Sequence, residues 1–122
     1  MSNEKSKFEL YLEAICKQKG LNLEKEYKFD DKRKYRFDYA IIHKIMYYSG
    51  LINIKIAFEY EGGIYMNKSG HTNTKGYYSN CNKYNLAAYQ NWKVYRFTAA
   101  HFNKSNINET LDFIDKILTL EV

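Results

Sequence analysis

The stretch Ile52 to Gly63, INIKIAFEYEGG, constrains the fold more than any other part of the chain. Its apolar and polar residues alternate, which is the period of a β-strand. Ile52, Ile54, Ile56, Phe58 and Tyr60 fall on one face, and Asn53, Lys55, Ala57, Glu59 and Glu61 on the other. The first face is a core face. The second ends in two carboxylates at i and i+2, followed at once by Gly62-Gly63, which stop the strand and let a backbone or ligand approach closely. Two residues along a strand span about 6.6 Å. Carboxylates at that spacing repel by about 2.5 kcal/mol at an effective dielectric near 20. A divalent cation reverses the sign of that interaction. Two ordinary acids at a solvated strand end are the plain alternative.

The segments on either side place this strand in a small mixed fold. Phe8, Leu12, Ile15 and Cys16 recur at helical spacing and Gly20 is a C-terminal stop, which predicts a helix from about Glu4 to Lys19. Glu9 and Glu13 are four apart and share a face beside that apolar stripe. Leu23 to Phe29 reads as a short strand, and Asp30-Asp31-Lys32-Arg33 as a polar turn. Lys34 to Ile42 reads as the next strand, with Tyr35, Phe37, Tyr39 and Ile41 against Arg36, Asp38 and Ala40. Asp is depleted in strands, so Asp38 in mid-strand asks for a reason: a partner such as Arg36 or Arg33, or metal ligation. Tyr47 to Gly50 reads as a hairpin end. Three strands with short connections form an antiparallel meander, in which Asp38 and Glu59 lie on neighbouring strands about 4.8 Å apart.

Ile64 to Gly76 reads as a polar loop carrying Lys68, His71 and Lys75, and such loops commonly hold substrate contacts. Tyr77 to Gln90 suits a helix with Cys81, Tyr84, Asn85, Leu86, Ala88 and Tyr89 on its apolar side. Trp92 to Thr98 is a fourth strand, reached by a strand-helix-strand crossover that implies a parallel pairing. Asn108 is an N-cap candidate for a closing helix marked by Leu111, Ile114, Ile117 and Leu118. The expectation is one domain over residues 1–122, an α/β (α+β) mixed sheet in the order α-β-β-β-α-β with a C-terminal helix.

Composition narrows the setting. Met1 to Lys7 is polar and charged, and the apolar runs are too short to span a membrane. Two cysteines, Cys16 and Cys81, without a secretory signal imply buried, reduced thiols in a cytosol. With three histidines besides, a structural zinc site lacks its usual ligand clusters. The net charge of +5 is compatible with a polyanionic partner. The absence of Pro and the wealth of Lys, Asn, Ile and Tyr are also what AT-rich coding produces, so the charge counts for less than it would otherwise.

Taken by element, the acids are Glu9 on the first helix, Asp38 on the second strand, and Glu59 and Glu61 on the third. Hydrolysis of a phosphodiester needs charge neutralised on the phosphate and a water made nucleophilic, and carboxylates holding Mg²⁺ do both. One or two carboxylates with a backbone carbonyl suffice for that ion. The pattern resembles the PD-(D/E)XK nuclease superfamily, whose restriction-endonuclease-like αβββαβ core carries Asp on the second strand and E-x-K on the third. It is closer still to a group of small phage and bacterial endonuclease-like proteins. The matching segments are Arg36-Phe37-Asp38, Glu59-Tyr60-Glu61-Gly62-Gly63, Gly70-His71-Thr72, Lys83-Tyr84-Asn85 and Trp92 to Thr98, so the resemblance runs from about Glu9 to Thr98.

By that resemblance, Asp38 and Glu59 are metal ligands, with the carbonyl of Tyr60 completing a site for Mg²⁺ or Mn²⁺. Glu61 stands where the superfamily has its lysine, an E-x-E variant similar to some restriction endonucleases. Its role is then to orient the nucleophile, to bind a second ion, or both. Lys75 or Lys83 would supply the missing positive charge. Glu9 resembles the first-helix Glu of such nucleases, while Asn80 and Asn82 occupy places that are often acidic. Arg36, His71, Thr72, Lys75 and Lys83 are the expected DNA contacts.

The function implied is a metal-dependent endonuclease acting on DNA, branched or structured DNA included, working as a homodimer in a cytosol. A nucleic-acid-binding module that keeps the fold without the chemistry is the alternative, motivated by the missing lysine. A protein-interaction domain, with the thirteen tyrosines as interface residues, is a third.

Overall fold

The structure, a computed structural model, describes residues 3–62 and 74–120, with side chains in the first helix from Lys5 onward. Helix α1 (Asn3–Lys19) leads into β1 (Glu24–Lys28), β2 (Arg36–Tyr47) and β3 (Gly50–Glu61). Helix α2 (Thr74–Tyr89), β4 (Trp92–Thr98), a 3₁₀ turn (Ala99–Phe102) and α3 (Ile107–Ile117) follow. The strands form one sheet in the order β1-β2-β3-β4. The first two pairings are antiparallel and β3 pairs with β4 in parallel. The expected element order, meander and crossover are therefore present in a mixed α+β sheet.

Both faces of the sheet are covered, which is why every second residue of β3 does not simply face water. On one face Tyr39, Ile41, Ile56, Phe58 and Phe97 pack with Phe8, Leu12 and Cys16 of α1 and with Phe102, Ile114 and Leu118. Phe8 is central to this layer, with ring centroids at 5.0–6.2 Å from Tyr39, Phe58, Tyr60, Phe97 and Phe102. On the other face Ala40, Ala57 and Ala87 are wholly buried, and their small side chains let α2 lie close to the sheet beside Phe29, Phe37 and Trp92. Ala87, not Ala88, is thus the inward alanine of α2, and Asn85, Ala88 and Tyr89 are exposed.

Local chemistry sets the ends. α1 stops at Gly20, whose φ of 70° suits glycine, with the Gly20 amide on the Lys17 carbonyl and the Leu21 amide on the Cys16 carbonyl. Helix α3 starts at Ile107, and its cap lies two residues before the expected Asn108. Asn106 takes the cap position, its side-chain amide donating to the Ala100 carbonyl while its oxygen accepts no helix amide. The strand β2 runs five residues past Ile42, so β2 and β3 outreach their neighbours. Ile52, expected in the core, is consequently exposed.

Candidate active site at the end of β2 and β3

Backbone pairing between β2 and β3 runs from Tyr47↔Gly50 to Tyr39↔Phe58 and stops there. Beyond that point the two strands are joined by carboxylates. The Asp38 amide donates to Glu59 Oε2 at 2.8 Å, and the Tyr60 amide donates to Asp38 Oδ2 at 2.8 Å. Each acid thus takes a backbone donor of the other strand, which satisfies amides the ladder has left unpaired. This is the reason for an Asp in mid-strand, and neither Arg36 nor Arg33 is its partner. The nearest cation is Lys5 of α1, with Nζ 3.9 Å from Oδ1. On the opposite side, β1 is distorted at Glu26, a non-glycine residue with φ of 50° lying between the Lys25↔Tyr39 and Tyr27↔Phe37 pairs.

Glu59 is only 5% exposed. A buried carboxylate needs compensation, and helix α2 brings it. Lys83 Nζ forms an ion pair with Glu59 Oε1, and the Tyr84 hydroxyl donates to the same oxygen at 2.9 Å. The lysine lies over the rings of Phe37 and Tyr84, 5.7 and 5.3 Å from their centroids, so its stem is buried while its charge meets the acid. The parallel register sets Arg96 beside Glu59, and the Arg96 Nε–H reaches Glu61 Oε1 at 2.6 Å. Tyr84 also lies 3.5 Å from Glu61, and the Arg96 guanidinium stacks on its ring at 4.5 Å. Three carboxylates, Asp38, Glu59 and Glu61, are therefore met by Lys5, Lys83 and Arg96.

Titration follows from this setting. Burial raises the Asp38 pKa, and the charges of Glu59 and Glu26 add to the rise, against the Tyr60 amide and Lys5. Burial and the charge of Glu59 push the Tyr84 phenol well above its ordinary range, so it stays protonated and acts only as a donor toward the acids.

Of the expected site residues, Asp38, Glu59, Glu61 and Lys83 converge. Glu9 is held elsewhere: it accepts from the Tyr39 hydroxyl at 3.0 Å and from Lys25 at 3.3 Å, and Lys25 also pairs with Glu13. Arg36 is exposed at the start of β2 and Lys75 at the start of α2. His71 and Thr72 lie outside the described residues. Tyr84, Lys5 and Arg96 are participants that sequence reasoning did not assign. Tyr84 follows Lys83 directly, but the partnership of Arg96 with Glu61 needs the β3–β4 register.

By residue type, carboxylates beside a backbone carbonyl are the donors a hard divalent cation takes, although both Glu59 oxygens are engaged by the Asp38 amide, Lys83 and Tyr84. Asp38 and Glu59 offer oxygens from adjacent strand ends next to the Tyr60 peptide, a set of the size Mg²⁺ takes. Among the described residues no three His, Cys, Asp or Glu side chains are arranged to hold a metal ion, Asp38, Glu59 and Glu61 included. A separate concavity of about 360 Å³ lies between β4 and α3, lined by Tyr95, Phe97, His101 and Phe113 among others. None of Asp38, Glu59 and Glu61 lines it, although Arg96, the partner of Glu61, does. Comparison with known proteins found no match to a family model, to a curated protein or to a solved structure.

Proposed function

We propose that this chain is a metal-dependent endonuclease domain of the PD-(D/E)XK type, with a restriction-endonuclease-like core, acting on DNA. The observation that carries the reading is the meeting of Asp38 and Glu59 where the β2–β3 ladder ends, with a lysine from α2 against Glu59. Asp38, Glu59 and the Tyr60 carbonyl would hold Mg²⁺ or Mn²⁺, which when bound supplies charge neutralisation at the phosphate and a more acidic water.

The chain's own residues have distinct tasks in this reading. Lys83 takes the place of the lysine that an E-x-K motif would carry, since Glu61 occupies that strand position. From α2 its ammonium sits on Glu59 and offers positive charge beside a phosphate oxygen. Tyr84, held protonated, fixes the Glu59 carboxylate and touches Glu61. Arg96 keeps Glu61 compensated. Arg36 and Lys75, both exposed, would meet the nucleic-acid backbone in this reading, and the net charge of +5 favours that encounter.

The test is cleavage of a fluorescent four-way junction beside matched duplex and single strand, with Mg²⁺, Mn²⁺ and EDTA. Metal-dependent cutting that is lost in both Asp38→Asn and Glu59→Gln is the expected result. Undiminished cutting by either purified variant would refute the assignment.

A second reading has one observation in its favour. Both oxygens of Glu59 are already engaged, Oε2 by the Asp38 amide and Oε1 by Lys83 and Tyr84. A domain with its acids neutralised internally would bind nucleic acid without cutting it. Equal binding in EDTA and Mg²⁺, with no product, would establish this second reading.

A further inference from the structure

Strands β2 and β3 extend beyond the sheet they help to form. The last residue of β2 paired to β1 is Ala40, and the first residue of β3 paired to β4 is Lys55. From His43↔Ile54 to Tyr47↔Gly50 the two strands are paired only to each other, which makes a two-stranded arm about 17 Å long. Its root leans on the core through Ile45, which is buried, and Ile54, which is half-buried. Its end is bare. Met46 is 73% exposed and its cross-strand partner Leu51 54%, while Tyr47, Tyr48 and Ile52 are exposed beside them.

A lone two-stranded ribbon is marginal in water, and open apolar strand edges are ordinarily covered or blunted by charge. On this arm Lys44 is the one charge that could blunt an edge, and no charge stands beyond it toward the tip. Residues Ile45 to Ile54 include no charged side chain, and no acid lies between Asp38 and Glu59. The lack of charge decides between occupants. A nucleic acid draws its affinity from Lys and Arg against phosphates, and only Lys44 stands near the arm's end. An interface between copies has a core depleted in charge and enriched in Tyr and Met, which is the composition of this tip.

Met46 and Leu51 share one face of the ribbon with Lys44 and Asn53, while Tyr47 and Ile52 lie on the other; at roughly 150–250 Å² for a large side chain, the exposed parts of Met46, Leu51 and the turn residue Tyr48 come to roughly 480 Å². A stable interface takes about 800 Å² per partner. The ribbon's open edges and exposed Lys44 and Asn53 adjoin the patch and can contribute the remainder.

We propose that the β2–β3 arm is a dimerisation element, packed against the same arm of a second copy of this chain about a two-fold axis. Such contact is isologous, so each exposed edge meets its own equivalent and the assembly closes at two subunits. The arm lies at the other end of β3 from the acid cluster, with Leu51 and Glu59 separated by roughly 26 Å of strand. The proposal is therefore independent of the nuclease reading, and variants in the arm leave Asp38, Glu59 and Lys83 untouched.

The experiment is sedimentation velocity with light scattering on the full chain across a dilution series, for the wild type and for Met46→Lys/Leu51→Lys. The wild type should have twice the 14.6 kDa mass of the chain. The double variant should be monomeric, its dissociation constant raised by at least roughly 30-fold, with an unchanged circular-dichroism spectrum. As an arm probe that keeps the apolar pair, Tyr48→Cys in a Cys81→Ser background should cross-link through a short bismaleimide. A monomeric wild type, a double variant that remains dimeric, or no cross-link in a dimer would overturn the proposal. So would a monomer that loses binding to duplex DNA or to phosphatidylcholine vesicles when the arm is charged, since the arm would then serve that partner.

Discussion

Replacing Lys83 by Met tests the central electrostatic contact of the candidate site. Met keeps the apolar stem that lies over Phe37 and Tyr84 and removes only the ammonium. The lysine side chain is 16% exposed and that of Glu59 7%, so the pair is largely removed from water. Breaking a buried pair by deleting one partner costs about 3–5 kcal/mol. Glu59 would keep the Asp38 amide and the Tyr84 hydroxyl as donors, which places the expected loss lower, at about 2–3 kcal/mol. At about 4 °C per kcal/mol for a domain of this size, the melting temperature should fall by about 8–12 °C. The assay is urea unfolding of Lys83→Met, Glu59→Gln and the double variant, with a coupling energy of about 2 kcal/mol expected between the two sites. A loss under about 0.5 kcal/mol, with additive single variants, would equal that of a solvated surface pair. The buried contact would then not exist.

Three further outcomes are expected. Asp38 has a folded pKa raised above the ordinary 3.8, so the native state holds its proton longer than the unfolded chain does. Its contribution to stability is present below about pH 4 and declines as pH rises through the folded value. Asp38→Asn should therefore match or exceed the wild type in stability at pH 7. The advantage should shrink toward pH 4 in paired thermal melts, and a variant clearly less stable at pH 7 would contradict this. Burial pushes the Cys16 thiol up to about 11, whereas Cys81 is half-buried on the other side of the sheet. Native protein should lose at most one thiol to a maleimide at pH 7, mass spectrometry should locate it at Cys81, and both should react in denaturant. Phe8→Ala removes a fully buried ring that touches five other aromatic rings. It should cost about 3–5 kcal/mol in denaturant unfolding.

Much of the architecture was legible in the chain because its signals are local. Alternation identified β3, helical spacing with Gly20 identified α1, and the strand-helix-strand order implied the parallel pairing that β3 and β4 adopt. Locating Asp38 and Glu59 on adjacent strands followed from the same meander. The missing lysine could be narrowed to Lys75 or Lys83, but no further, since the sequence sets both in or beside the same helix. The three-dimensional packing of α2 separates them. Lys75 is exposed in its first turn, and Lys83 lies two turns on, against the sheet.

What the sequence determined by itself was the set of elements and their order, because period, turn chemistry and capping act between residues a few positions apart. The tertiary structure alone decided which charges meet. Glu59 with Lys83, Glu61 with Arg96 and Glu9 with Lys25 are partners separated by 16 to 35 residues, and no periodicity encodes their distance. It also decided that Ile52 is bare and Ala57 buried. Alternation assigns a residue to a face of its strand, but burial depends on how far the helices packed on that face extend along it.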